Sequence, residues 1–120
     1  MIVGVQGTNS FEDYNVFLRS MGVALSGLQE NDQHFYIYSA GPTKVNSMVM
    51  EFVNLSERSM KSRRKKIKFY KVAPDWISEN ISDFNYFIFL SKEKESLSNQ
   101  EKKLIRKAKL NNIDVGIFNY

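Results

Sequence analysis

The chain has no cysteine and a single histidine, His34. Without thiols there is no disulfide, no thiolate metal site and no cysteine nucleophile, and a reducing cytoplasm is the expected setting. His34 precedes the second apolar run, away from every glycine-bearing loop, so it reads as a surface residue rather than a general base. The acids Glu12, Asp13, Asp75 and Glu79 are scattered over separate loops, so no metal cluster is expected. Neither a P-loop nor a G-x-S-x-G elbow occurs. No apolar stretch approaches the roughly 18 residues of a membrane span. No basic segment precedes the short apolar start, Met1 to Gly7, as a signal peptide requires. These absences leave no catalytic constellation, no metal and no cofactor to predict.

What is present is an alternation of short apolar runs with amphipathic segments, in a length of 120 residues that fits one domain. Met1 to Gln6 reads as a strand, ending in the turn and cap residues Gly7-Thr8-Asn9-Ser10. Phe11, Tyr14, Phe17, Leu18, Met21, Leu25 and Leu28 then recur at helical spacing, with Asn9 or Ser10 placed to cap the helix. Phe35 to Ser39 predicts the second strand, broken by Ala40-Gly41-Pro42-Thr43. Val45, Met48, Val49, Phe52 and Val53 mark the buried side of a second helix. Ile67 to Val72 alternates apolar and basic residues, as an outer strand does, and Asp75 to Ile81 is a short helical turn after Pro74. Phe84 to Leu90 is the most apolar run and has strand length. Ser98 and Glu101 form a capping box. It opens a helix that buries Leu97, Leu104, Ile105 and Ala108, and Ile113 to Phe118 is the last strand.

This order predicts an α/β domain in three layers, with a mainly parallel five-stranded sheet between helices. Strands one and four, apolar on both faces, belong at the centre. The lysine-bearing third strand belongs at an edge. The order 3-2-1-4-5 satisfies both demands. Ligands of such sheets bind beyond the carboxyl ends of the strands at the topological switch point, here between strands one and four. Three loops meet there: Gln6 to Ser10, Ser39 to Lys44, and Ser91-Lys92. Glycine, hydroxyls and first-turn helix amides suit a phosphate or a carboxylate. The candidate ligand-binding residues are Gly7, Thr8, Asn9, Ser10, Ser39, Gly41, Thr43 and Asn46, with added charge from Lys44 and Lys92. The same composition also suits ordinary strand-to-helix turns. Trp76 reads as a packing anchor at the third loop rather than a stacking partner.

The run Gly7-Thr8-Asn9-Ser10-Phe11-Glu12-Asp13-Tyr14 resembles the opening of the YspA-like branch of the SLOG superfamily, typically G-S-R-x-F-x-D. Tyr38 to Asn46 resembles that branch's second motif, S-G-G-A-x-G-A-D, and Ala73-Pro74-Asp75-Trp76 its A-D-W. The likenesses come in the family's order and cover about the first two thirds of the chain. They imply a Rossmann-like fold binding a nucleotide or nucleotide-derived molecule at these loops. Asn9 stands where the family has arginine, Ala40 where it has its middle glycine and Asn46 where it has aspartate. The P-G-G-x-G-T-x-x-E signature of the related phosphoribohydrolases does not occur. A divergent binding domain without catalysis is the economical reading. Its stripped-down form suits an accessory protein of a phage or mobile element, working in the host cytoplasm.

The net charge of +4 is unevenly placed. Arg58, Lys61, Arg63, Arg64, Lys65, Lys66, Lys68 and Lys71 form a block without an acid, and Lys102, Lys103, Arg106, Lys107 and Lys109 form a second cluster. If Glu57 to Arg64 ends helix two, many of the first charges are solvated and complement the helix dipole. The alternative is a nucleic-acid backbone footprint through Arg63, Arg64, Lys65 and Lys66. One of Phe69 and Tyr70 must face the core, and the other by itself is too little to stack a single strand. A third reading is a structural or protein-interaction domain with a closed pocket. Val16, Val23 and Ala24 widen helix one beyond the face of about 100° that a covering helix needs. That surplus predicts a homodimer, unless it packs beneath the last helix.

Overall fold

A computed structural model describes residues 1–92 and 96–120. Its strands are β1 (Ile2–Gly7), β2 (His34–Ser39), β3 (Lys66–Lys71), β4 (Tyr86–Ser91) and β5 (Asp114–Asn119). They form one sheet in the order β3-β2-β1-β4-β5, and every neighbouring pair is parallel. Helices α1 (Tyr14–Ser26), α2 (Thr43–Ser62), α3 (Pro74–Glu79) and α4 (Asn99–Leu110), with a 3-10 turn at Ile81–Asp83, make the crossovers. This is a Rossmann-like arrangement with the strand order that the apolar patterning predicts. No helix among the described residues is long and apolar enough to cross a membrane.

Strand alternation divides the core in two. Val3, Val5, Phe35, Ile37, Ile67, Ile88 and Leu90 meet Phe17, Met21, Val45, Val49 and Phe52 of α1 and α2. Phe87 and Phe89 point the other way, onto Ile77, Ile81, Phe84, Leu104, Ile105 and Ala108. Strand β4 thus feeds large side chains to both faces, which accounts for its unbroken apolar run. On β1 the second face holds Gly4. A Cβ there would lie 2.4 Å from Phe84 Cε2, so the phenyl ring rests on bare backbone.

Helix α1 starts later than its spacing predicts. Phe11 lies outside it, fully buried, in a turn where its N–H bonds the Thr8 carbonyl at 3.2 Å. Asp13, not Asn9 or Ser10, caps the helix by accepting the Val16 N–H at 3.0 Å. Val16 and Ala24 are 5% and 1% exposed and belong to the chain's own core. Of the apolar surplus on α1 Val23 stays exposed, at 45%, and Leu18, which the spacing places on the buried face, is 39% exposed instead.

Helix α2 ends in a Schellman arrangement. Arg64 takes φ 60°, its N–H bonds the Lys61 carbonyl at 2.9 Å, and the Lys65 N–H reaches the Met60 carbonyl at 2.9 Å. This geometry turns Lys65 inward, where it is 7% exposed. Its Nζ donates to the carbonyls of Gln29 and Glu30, each at 3.0 Å, and of Asp32. Lys65 therefore leaves the set of nucleic-acid contacts that the sequence proposes. Its charge is held by carbonyls of the α1–β2 loop, while Arg63, Arg64 and Lys66 remain exposed.

Candidate functional site

A cleft of about 950 Å³ opens beyond the carboxyl ends of the central strands. Gln6, Gly7 and Asn9 of β1 and its loop line one side, with Ala40, Gly41 and Pro42 beside them. Pro74, Asp75 and Ser78 of α3 and Ser98, Lys103, Arg106 and Lys107 of α4 line the other. The chain leaves β1 toward β2 and leaves β4 toward β5, so the connecting loops diverge here and space opens between them.

Backbone bonds build the glycine side. Gly41 has φ +89°, a conformation that L side chains rarely adopt. Its carbonyl accepts the Gly7 N–H at 2.9 Å, and the Thr8 N–H bonds the Leu90 carbonyl at 2.9 Å. The amides of Gly7 and Thr8 are thus committed to the fold. A Cβ on Gly7 would lie 2.8 Å from Val45 Cγ2 and 3.2 Å from the Leu90 carbonyl oxygen. Glycine is required there by the close packing of α2. Pro42 precedes α2 and makes no side-chain cap bond. The amides of the first turn are therefore left to the positive end of the helix dipole.

The structure sorts the predicted residues. Gly7, Asn9 and Gly41 line the cleft. Ser39 is fully buried and donates its hydroxyl proton to Asn46 Oδ1 at 2.6 Å, so this pair braces the second loop from within. Thr8 is also buried, with Oγ1 3.3 Å from Ser10 Oγ. Ser10, Thr43, Lys44, Asn46 and Lys92 do not line the cleft. Lys44 Nζ pairs with Glu12 Oε2 at 3.3 Å in the open, a contact of little energetic weight.

Other residues enter the site that motif reading passes over. Gln6 Oε1 is buried and has no hydrogen-bond partner among the described residues. Its one sequence signal is a polar residue closing an apolar strand. Lys103, Arg106 and Lys107, at i, i+3 and i+4, share a face of α4 because Leu104, Ile105 and Ala108 take the core face. Lys107 Nζ ties this wall to α3 by donating to the Ser78 carbonyl at 2.7 Å. Tyr120 secures the first loop. Its hydroxyl accepts the Glu12 N–H at 3.3 Å and donates to the Ser10 carbonyl at 3.4 Å, and its ring meets Phe11 edge-on at 5.6 Å.

His34 opens β2 at the amino edge of the sheet, opposite the cleft. Among the described residues no group of three or more His, Cys, Asp or Glu could hold a metal ion. Comparison with family models, with curated proteins and with solved structures returns no match to this chain. The Rossmann-like fold therefore stands on strand order and direction alone.

Proposed function

We propose that the domain binds a phosphorylated small molecule of nucleotide type in this cleft, and holds it without breaking a bond. The observation that carries the reading is the cleft at the switch point, with the Ala40-Gly41-Pro42 turn on one side and the basic side chains Lys103 and Arg106 on the other. The basic wall favours an anion. Gln6 Oε1 is an acceptor for an N–H or O–H of the part of the ligand that carries no phosphate. The likeness of Gly7 to Tyr14 and of Tyr38 to Asn46 to the YspA-like SLOG branch supports a nucleotide as the phosphorylated molecule. Of the carboxylates on the cleft, Glu101 is engaged with the Ser98 N–H at 2.7 Å. That favours holding over turnover.

The test is calorimetric titration and thermal shift with inorganic phosphate and with nucleoside mono- and diphosphates, beside native mass spectrometry of the purified protein. A bound ligand at about a hundredfold excess over Kd raises stability by roughly 2.7 kcal/mol. Arg106→Glu and Gln6→Leu should each weaken binding. If no phosphorylated probe raises the melting temperature and the chain flies bare, the reading fails.

A further inference from the structure

A second surface lies away from the cleft. On the sheet face opposite α1 and α2, the α3–α4 side buries β4 and β1 and reaches as far as Tyr38. Beyond it Tyr36 and Tyr70 are half-buried and belong to neither hydrophobic core. Parallel register sets His34 beside Lys66, Tyr36 beside Lys68 and Tyr38 beside Tyr70. Phe35, Ile37, Ile67 and Phe69 pack into the core under α1 and α2. Alternation therefore sends both rows to the open face. The rings form one continuous array. Tyr38 stacks on Tyr70 at 4.7 Å and on Trp76 at 4.8 Å, each at 16°. Tyr36 meets Tyr70 edge-on at 5.7 Å, and His34 lies 5.0 Å from Tyr36. Lys66 and Lys68 are exposed and make no ion pair with a described residue. Arg63 and Arg64, also exposed, stand just ahead of β3.

We propose that this face is a platform for single-stranded nucleic acid, with bases on Tyr36 and Tyr70 and phosphates on Lys66, Lys68, Arg63 and Arg64. Lysine on an edge strand also blunts pairing with another chain. That purpose needs only charge on β3, and it does not account for a row of aromatic rings on β2. Rings beside a row of cations suit a ligand that is flat and apolar in one part and anionic in the next. Single strands have that character, and stacking tolerates any base because each has a π-face. In a duplex the base faces are already stacked and cannot reach the rings. Aromatic grooves also receive proline-rich peptides, but the unpaired lysine row favours a polyanion. Counted along β3 alone, Tyr70 is a lone ring. The pairing of β2 with β3 sets Tyr36 and Tyr38 beside it.

Fluorescence polarisation with labelled oligothymidylate, oligouridylate and the corresponding duplex tests this, on the whole chain over a range of salt. The single strands should bind and the duplex much more weakly. The logarithm of affinity should fall with the logarithm of salt, and Lys66→Ala or Lys68→Ala should each lower the slope by about 0.7. Tyr36→Ala and Tyr70→Ala should each weaken binding at least about fivefold, whereas Tyr36→Phe and Tyr70→Phe retain it. These positions are exposed or half-buried, and a thermal melt of each variant checks the fold. Three results would overturn the proposal: no single-strand binding at low salt, equal duplex binding with the tyrosine variants unchanged, or capture of a proline-rich peptide but no oligonucleotide. Arg106→Glu and Gln6→Leu should leave oligonucleotide affinity unchanged, so the cleft and the platform can fail separately.

Discussion

The ammonium of Lys65 sits beneath the α1–β2 loop, held by three carbonyls. A buried cation survives there because each of its protons has an acceptor. Lys65→Met keeps the stem and removes the donors, so the carbonyls of Gln29, Glu30 and Asp32 lose their partner. Urea denaturation should show a loss of about 1–3 kcal/mol, whereas Lys66→Ala should stay within about 0.5 kcal/mol. Tyr14 is the converse case. Its hydroxyl is buried without a partner among the described residues, so Tyr14→Phe should stabilise the fold by up to about 1 kcal/mol. Burial, with Glu51 nearby, also raises the Tyr14 pKa above 10.0. Desolvation does the same to Tyr38 and Tyr86, reinforced by Tyr70 and Tyr36 around the first and by Asp114 beside the second. A raised folded pKa means that the native state keeps its proton longer than the unfolded chain. The associated stability is full below pH 10 and drains as pH rises through the folded values. Denaturation midpoints should therefore fall above about pH 10, and Tyr14→Phe should flatten that limb.

At the scale of single elements, α2 and α4 close in the same way with different residues. Each ends with a left-handed residue, Arg64 at φ 60° and Asn112 at φ 58°. In each, the next N–H reaches back into the last turn, from Lys65 to Met60 and from Ile113 to Ala108. Asparagine adopts that conformation at a lower cost than arginine. Arg64→Gly should stabilise the protein by up to about 1 kcal/mol, and Asn112→Gly should do less, both read from thermal melts. The start of α4 is built reciprocally. Ser98 Oγ accepts the Glu101 N–H at 3.1 Å and Glu101 Oε1 accepts the Ser98 N–H at 2.7 Å. This box fixes the entry angle of the helix whose basic face lines the cleft.

For the whole molecule, assembly is the open quantity. Val16 and Ala24 are absorbed by the chain's own core, so of the surplus that predicts a homodimer only Val23 is exposed, with Leu18 of the expected inner face also in the open. Val16→Glu would bury a carboxylate without a partner and should unfold the domain. Val23→Glu should leave it folded. Light scattering at micromolar concentration separates the outcomes. Two chains for the parent and one for Val23→Glu place the pair at α1, and one chain for both removes it.

Spacing along the chain was enough for whatever depends on neighbours a few residues apart. The capping box at Ser98, the apolar stripe of α2 and the central place of the most apolar strand follow from local periodicity, and strand order follows from which runs are apolar on both faces. The cleft's location was legible for the same reason, since Gly7, Asn9 and Gly41 follow strands that must lie side by side. Its far wall was not. Lys103 and Arg106 face Gly41 because α4 is folded across the sheet from α2, and no local pattern encodes that apposition. Lys65 reads as one charge in a solvated run until β3 pairs with β2 and brings to it the carbonyl of Asp32, 33 residues earlier in the chain. The tyrosine face has the same origin. Tyr36 and Tyr70 stand far apart along the chain, and parallel pairing in register makes them one surface. Periodicity determines which side of an element is apolar, but the partner of a polar or aromatic side chain is chosen by chain crossovers, through contacts that exist only after the sheet has formed.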